Sequence, residues 1–332
     1  MARRLSSESH LARAARGRAL GDAERAALAR LLLDEPGPRR LFGITPDNAP
    51  KCVEERLRTL PAVWNALHAA PLRVAGYEES PADTPRDLFC VHLPLARHLI
   101  GIASGRAERT LVAVAGVPAG GKSVFTAVML RVLRALEPPF GVAALGLDGY
   151  HYRNAYLDAH RTPPGVPEPA SLRPYKGAHF TFDALRLADD LRTLETATVP
   201  VALPAYDRTL HEPIDGAVTI EPRDRLVLVE GNYLLLRQGQ WEHVADRFHL
   251  RIYLDLPPGL NRERMIARHV RGGRSPDAAA RHYERSDRAN TDLVAATRPE
   301  AHIVVTLDAA YRPRTIAPGP SHSHPKAAAP TS

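Results

Sequence analysis

The segment at residues 116–123 constrains the fold of this chain more than any other. It reads Gly-Val-Pro-Ala-Gly-Gly-Lys-Ser, the pattern G-x-x-x-x-G-K-S of a phosphate-binding loop (P-loop). An apolar run, Leu111–Ala115, precedes it, and a stretch with helical periodicity, Val124–Leu136, follows it. In that order, backbone N–H groups converge on phosphate oxygens at the positive end of a helix. The pattern therefore predicts a nucleoside triphosphate site, and the alternative is a glycine-rich turn that binds nothing.

Each position of the loop has an expected role. We expect Lys122 to reach the β- and γ-phosphates and Ser123 to place its hydroxyl on Mg²⁺. The residues expected to contact the nucleotide are Gly116, Val117, Pro118, Ala119, Gly120, Gly121, Lys122, Ser123 and Val124. A triphosphate site alone does not decide whether the phosphoryl group passes to water, to a hydroxyl or to a partner protein.

After residue 110, short apolar runs alternate with helical stretches, which predicts βαβ units. We expect an α/β chain with the P-loop NTPase fold, a mainly parallel sheet flanked by helices, over residues 108–311. The expected strands are Leu111–Ala115, Val142–Leu147, Leu226–Val229, Ile252–Leu256 and Ile303–Leu307. The expected helices are Val124–Leu136, Phe182–Leu194, Asn261–Val270 and Pro276–Thr297.

The sequences on either side of this domain differ from it in composition and in periodicity. Residues 1–107 predict a helical N-terminal extension, with helices at 22–33, 53–69 and 93–104, no convincing strand and no visible chemistry. We expect it to be dispensable for catalysis. Its first twenty residues hold five Arg and one acid, Glu8, which suits a mitochondrial transit peptide or, as we favour, an Arg-rich surface helix. Residues 312–332 are rich in Pro, Ala and Ser and predict a disordered tail.

Charge and composition narrow the kind of ligand. The 332 residues carry a formal charge of +7, and aromatic residues make up only 6%. A basic balance suits anionic partners, but no basic run is interleaved with aromatic residues, so small anions are favoured over nucleic acid. The longest apolar runs hold about five residues, far fewer than the ~20 that span a bilayer, so no membrane partner is expected. Two cysteines, Cys52 and Cys90, suit a reduced, cytoplasmic protein, and a homodimer is left open.

Two acidic residues end predicted strands. Asp148 follows Val142–Leu147, and Glu230 follows Leu226–Val229. In an open α/β sheet, ligands bind beyond the carboxyl ends of the strands. Asp148 there can accept the proton of an attacking hydroxyl, and Glu230 can hold Mg²⁺ directly or through water. The alternatives are a turn residue in an Asp-Gly pair and a strand-terminal Glu paired with an Arg.

Taken together, these motifs resemble the phosphoribulokinase/uridine kinase branch of P-loop kinases, and within it bacterial type I pantothenate kinase and its uncharacterised relatives. The resemblance covers residues 108–311 and implies a kinase that uses ATP and Mg²⁺ to phosphorylate a hydroxyl of a small molecule. It implies that Asp148 is the catalytic base and that Lys122 also acts in catalysis. The segments that carry it are 116–123, 148–154, 176–183, 229–236, 261–270 and 287–290.

The acceptor site is where this chain departs from pantothenate kinase. Residues 204–213 read Pro-Ala-Tyr-Asp-Arg-Thr-Leu-His-Glu-Pro in place of a Tyr-Ser-His-type segment, and residues 161–174 form a proline-rich insertion. A pantothenate-, sugar- or nucleoside-like acceptor therefore stays open. The residues expected to bind the acceptor are Tyr150, Asn154, Lys176, Tyr206, Asp207, His211 and Asn232.

The segment 262–288 predicts a lid. Gly272 and Gly273 lie between two helical stretches, as hinges of a closing element would, and Arg side chains can meet the transferring phosphoryl group. Arg268 and Arg274, beside the glycine pair, are the expected lid residues. The alternative is a solvated helix in an Arg-rich protein. The Arg residues of this segment are Arg262, Arg264, Arg268, Arg271, Arg274, Arg281, Arg285 and Arg288.

Two other functions compete with a kinase. An NTPase switch would hydrolyse the nucleotide without a small-molecule acceptor, but switch GTPases carry an Asn-Lys-x-Asp motif that this sequence lacks. A degenerate binding module would have lost Lys122, Asp148 or Glu230, and all three are present. A small-molecule kinase is therefore favoured, with the NTPase switch as the alternative.

Overall fold

The computed structural model describes residues 2–74, 76–166, 171–257 and 259–322, with side chains from residue 7 onward. The helices are α1 Ala2–Ala15, α2 Asp22–Asp34, α3 Pro36–Leu41, α4 Ala49–His68, α5 Pro85–Asp87, α6 Leu93–Ser104, α7 Lys122–Ala135, α8 Asn154–Ala159, α9 Ala184–Thr196, α10 Trp241–Ala245, α11 Leu260–Arg271, α12 Pro276–His282 and α13 Arg288–Ala295. The strands are β1 Leu72–Val74, β2 Tyr77–Glu79, β3 Thr110–Gly116, β4 Gly141–Gly146, β5 Val201–Asp207, β6 Glu212–Ile220, β7 Asp224–Gly231, β8 Leu250–Asp255, β9 Ile303–Leu307 and β10 Pro313–Pro318.

A six-stranded sheet in the order β10-β9-β8-β3-β7-β4 forms the centre of the molecule. Strand β3 pairs in parallel with β7 on one side and β8 on the other, so the P-loop emerges from the middle of the sheet. Every residue of β3 is buried, as expected for a strand with both faces covered by helices. The predicted α/β fold with a mainly parallel sheet is confirmed.

The helices before β3 share a hydrophobic core with one face of this sheet. Leu28, Leu60 and Leu99 from these helices lie in the same buried cluster as Val112 of β3 and Met129 of α7. The helical extension therefore shares its core with the kinase domain, and the expectation that catalysis can dispense with it stays a prediction. Sequence periodicity shows that a helix has an apolar face, but it does not show which surface that face covers.

An anchor made of hydrogen bonds reinforces this packing. The guanidinium of Arg131, on α7, donates to the carbonyl of Leu67 at 2.8 Å and also to the carbonyls of Ala70 and Pro71. These three carbonyls lie where α4 ends and the β1–β2 hairpin begins. The helix that carries Lys122 is thus tied to the N-terminal region by its side chains as well as by the apolar core.

Two local expectations are corrected. The expected helix 276–297 is interrupted by a π-helical turn at Tyr283–Asp287. Residues 313–318, assigned to a disordered tail, form the antiparallel edge strand β10, in which Ile316 is fully buried. The rest of that tail, 323–332, lies outside the described residues.

A second small sheet, the β5–β6 hairpin, was not predicted. It is antiparallel, and its strands are not hydrogen-bonded to those of the central sheet. Gly149 explains how it approaches the sheet edge: a Cβ at this position would lie 2.5 Å from the Pro204 carbonyl oxygen and 3.0 Å from Ala205 Cα. The Asp-Gly pair at 148–149 therefore admits the hairpin backbone beside Asp148.

Among the helices of the described residues, none combines the length and apolar character that a bilayer crossing requires.

Candidate active site

The P-loop connects β3 to α7 as expected. Gly121 precedes α7 with φ +83°, in the left-handed region, and a side chain there would collide with the ring of Tyr311. Ala119 also has a positive φ of 54°. The Val117 carbonyl accepts from Gly120 N at 3.0 Å, and the Pro118 carbonyl accepts from the Asn261 side chain. The loop thus has a fixed conformation that contacts α11.

Lys122 is buried at the first position of α7. Its ammonium group donates to the carbonyls of Gly116 at 3.0 Å and Val117 at 2.9 Å. Burial lowers the pKa of Lys122 to about 8, although the nearby carboxylates of Glu230 and Asp148 act in the opposite direction. Neutral carbonyls are weak partners for an ammonium group compared with phosphate, so Lys122 can exchange them for an anion.

Ser123 and Glu230 come together from two neighbouring elements. The Ser123 hydroxyl, on α7, donates to Glu230 Oε1 at 2.7 Å, and Val124 follows it, part-buried, on the same helix. Burial, together with the charge of Asp148, raises the pKa of Glu230. Two carboxylates and a hydroxyl near a sheet edge form a set of oxygen atoms of the kind that a divalent cation prefers.

Asp148 lies just beyond β4, at the same edge. It is part of a 3₁₀ turn, Leu147–Tyr150, and its side chain is 40% exposed. Arg208, from the turn of the β5–β6 hairpin, donates to Asp148 Oδ2. Packing around the carboxyl tends to raise its pKa, but His151, Arg208, Arg268 and Lys122 together outweigh this and hold the pKa of Asp148 below its ordinary value. The carboxyl is therefore ionised and accessible.

Residues from three segments meet beside Asp148. Lys176 Nζ donates to Asn154 Oδ1 and to the His211 carbonyl, both at 2.7 Å. The Asn154 backbone N–H donates to the Glu212 carboxylate at 2.9 Å. The ring of Tyr206 lies 5.0 Å from Lys176 Nζ. The structure thus brings Asn154, Lys176 and Tyr206 together, and His211 joins them through its backbone carbonyl.

Two other expected acceptor residues are directed elsewhere. The ring of Tyr150 is 1% exposed and its hydroxyl donates to Asp190 at 3.0 Å, so it stabilises the packing of α9. Asp207 accepts from the backbone N–H groups of Thr209 and Leu210, at 2.7 and 2.9 Å, and so forms the hairpin turn. An aromatic residue and an acid were assigned by position alone, which does not reveal side-chain direction. Asn232 lies just beyond β7, part-buried.

The predicted lid is α11 followed by α12. Arg268 is exposed on α11, and its charge acts on both Asp148 and Lys122. Arg274 has a different position: its Nη1 donates to His269 Nδ1 at 2.9 Å. His269 Nε2 therefore carries the ring proton and donates to Asp287 at 2.6 Å. Arg268 thus acts electrostatically on the site, and Arg274 is part of a network within the lid.

Sequence reasoning left Arg208 and Tyr311 out of the site. Arg208 lies in the segment 204–213 but was not among the expected acceptor residues, because a hairpin was not recognised there. Tyr311 follows the last parallel strand, and Arg264 Cζ lies 3.7 Å from the centre of its ring. Its contact with Gly121 places this pair beside the P-loop. The sequence analysis did list Arg264 among the arginines of the predicted lid. No sequence pattern indicated that its side chain would contact Tyr311.

The sheet order, the P-loop and the acids at the sheet edge define a P-loop kinase, and similar proteins agree with this. The uncharacterised protein YggC of Escherichia coli is 32% identical over 219 residues, which are 65% of this chain and 86% of YggC. A putative uridine kinase of Schizosaccharomyces pombe is 28% identical over 193 residues, 56% of this chain and 78% of that protein. The chain belongs to the family of P-loop kinases that includes YggC.

Other comparisons extend this result. A solved structure, the putative fructose transport system kinase of Silicibacter sp. TM1040, matches with a TM-score of 0.50 and 28% identity, over 60% of this chain and 94% of that chain. A pantothenate kinase of Enterococcus faecalis is 25% identical over 151 residues, 45% of this chain but only 46% of that enzyme. No family model matches the chain. The protein is a small-molecule kinase.

Proposed function

We propose that this kinase uses ATP and Mg²⁺ to phosphorylate a hydroxyl group of a small pantothenate-, sugar- or nucleoside-like metabolite. The hydroxyl oxygen forms a bond to the γ-phosphorus, the bond from phosphorus to the β,γ-bridging oxygen breaks, and ADP leaves. Asp148 accepts the hydroxyl proton. A carboxylate within hydrogen-bond reach is a suitable general base, and its low pKa keeps it ionised.

The nucleotide phosphates would be held by the P-loop amides and by Lys122. The ammonium group already lies at the loop, on the carbonyls of Gly116 and Val117, and needs only to turn to the phosphates. Its positive charge stabilises the negative charge that develops on the γ-phosphoryl group during transfer. Arg268, on the proposed lid, would add a second positive charge when α11 closes over the site.

The oxygen atoms of Ser123 and Glu230 fit a magnesium ion. Mg²⁺ prefers carboxylate, hydroxyl and phosphate oxygens, and the raised pKa of Glu230 marks a buried carboxylate that a cation would stabilise. Ser123 and Glu230 would hold the ion. When bound, it neutralises charge on the β- and γ-phosphate oxygens. Asn154, Lys176 and Tyr206 would line the acceptor pocket.

One observation carries this proposal: a cation, a hydroxyl and two carboxylates converge at one edge of the sheet. Lys122 and Ser123 follow β3, Asp148 follows β4, and Glu230 is near the end of β7. The parallel neighbours β4, β7 and β3 necessarily bring their carboxyl ends to the same edge.

We also propose a cytoplasmic location, because Cys52 and Cys90 are free thiols in the structure.

A screen of ADP release against a panel of hydroxylated metabolites tests the proposal. We expect ADP release to depend on one class of acceptor and to be lost in Lys122→Ala. The matched control is Lys51→Ala, since Lys51 is exposed on α4. ADP release at the same rate without any acceptor would favour the alternative, an NTPase switch that hydrolyses ATP.

A further inference from the structure

Arg208 covers the proposed catalytic base. It lies in the turn between β5 and β6, and its guanidinium Nη2 donates to the Asp148 carboxylate. The same guanidinium lies 5.3 Å from the centre of the Tyr206 ring, and its side chain is 35% exposed. The planar guanidinium offers further N–H donors besides the one on Asp148. Arg208 is therefore both a partner of the base and a surface of the acceptor pocket.

This ion pair opposes proton transfer. An Arg that donates to a carboxylate lowers its pKa, and it occupies one of the two oxygens that could accept the proton of the attacking hydroxyl. A neutral acceptor carries no group that the Arg208 guanidinium would bind more strongly than the Asp148 carboxylate. An acceptor with its own carboxylate or phosphate offers a bidentate, charge-assisted contact, which is the strongest kind of hydrogen bonding for a guanidinium. Such an acceptor can displace Asp148 from Arg208.

Lys176 supplies a second positive charge beside the Tyr206 ring. Its ammonium group lies over the same Tyr206 ring, and its hydrogen-bond acceptors are neutral, the Asn154 amide and the His211 carbonyl. Within the described ranges, no carboxylate lies at ion-pair distance from Lys176. Two cations thus lie against one aromatic ring: Arg208 pairs directly with Asp148, whereas Glu212 and Asp148 act on Lys176 only at longer range.

We infer that the phosphate acceptor carries, besides its hydroxyl, a carboxylate or phosphate group that binds Arg208 and Lys176 and so draws Arg208 away from Asp148. The inference rests on the proposed function. Arg208 is a specificity and positioning residue in this account: it admits anionic acceptors and leaves the base occupied when a neutral one enters.

The N-terminal region lies close to the stem of Arg208. Gly76, at the tip of the β1–β2 hairpin, has φ +86°, and a Cβ built on it would lie 3.7 Å from Arg208 Cβ and 3.8 Å from Cγ. The aliphatic stem of Arg208 is therefore backed by that tip, whose base is held by Arg131.

Matched pairs of acceptors test this inference. Each pair differs in the anionic group: glycerate with glycerol, pantothenate with pantothenol, and ribose 5-phosphate with ribose. The first two pairs test a carboxylate and the third a phosphate. We expect kcat/KM for the anionic member of the accepted pair to exceed that of its neutral counterpart by at least about tenfold, as for a hydrogen bond to a charged group.

Variants separate the role of Arg208 from general damage. Arg208→Gln should raise the acceptor KM and bring the anionic-to-neutral ratio close to one, with KM for ATP unchanged, and Arg208→Lys should restore part of the preference. The control is Arg186→Gln, which breaks a 2.7 Å ion pair between α9 and Asp215 of the same hairpin and should leave the ratio intact.

Each outcome decides one of the two proposals. Equal or better use of neutral acceptors, or an unchanged ratio in Arg208→Gln, overturns the inference and leaves the kinase proposal standing. If no panel member is phosphorylated above the level of Lys122→Ala, the proposed function fails and the inference fails with it.

Discussion

Replacing Asp148 by Asn keeps the shape of the side chain and removes its charge and its proton-accepting oxygen. The carboxyl lies just beyond β4 and is ionised, so its loss removes the proposed general base directly. We expect kcat to fall by about 10²-fold or more, the usual contribution of a positioned base. The nucleotide should bind almost as before, because the P-loop and Lys122 are untouched.

The expected change in nucleotide affinity follows from the exposure of the site. Asp148 is 40% exposed, so its effect on Lys122 is screened by solvent. A partly exposed charge interaction contributes about 0–1 kcal/mol, which corresponds to less than about a fivefold change in KM for ATP. Steady-state kinetics with the accepted substrate, together with nucleotide titration, measure both quantities. A variant that loses ATP binding but keeps kcat would refute the assignment of Asp148 as the base.

Four further results are expected. Glu230→Gln should raise the Mg²⁺ concentration required for activity more than it weakens nucleotide binding, and overlaying Mg²⁺ titrations of variant and wild type would make Glu230 structural. Leu60→Ala should lower the free energy of unfolding by about 2–5 kcal/mol and leave KM for ATP unchanged. A protein that begins at residue 106 should not fold, because it lacks the helices of the shared core. A truncated protein that is folded and active would contradict the shared core. In the free enzyme, Lys122 loses its proton as pH rises through its pKa of about 8, so kcat/KM for ATP should decline above that pH. Bound phosphates favour the charged form of Lys122, so kcat should decline only at higher pH. A kcat/KM for ATP that stays flat to pH 9.5 would contradict this.

The central fold could be predicted because its signals are local. Leu111–Ala115, the P-loop and the start of α7 are contiguous in sequence, and a strand followed by a glycine-rich turn and a helix has few alternatives. The acids at residues 148 and 230 each end an apolar run, and parallel neighbours bring such ends together without further information. Position along a strand was therefore sufficient to gather them.

The parts that sequence reasoning missed depend on long-range contacts. The β5–β6 hairpin contains two prolines and several polar residues, so its pattern does not stand out as a pair of strands. Tyr150 and Asp207 were assigned to the acceptor by proximity in sequence, yet one side chain points into the core and the other closes a turn. The N-terminal helices showed apolar faces, but only the folded chain shows that these faces cover the helix of Lys122.

Identifying the phosphorylated product tests the central claim most directly. With the accepted acceptor present, phosphorus NMR and mass spectrometry should detect a phosphate ester in amounts equal to the ADP released, and Lys122→Ala should form neither. Release of ADP together with an equal amount of inorganic phosphate, with no ester at any acceptor concentration, would contradict phosphoryl transfer to a hydroxyl.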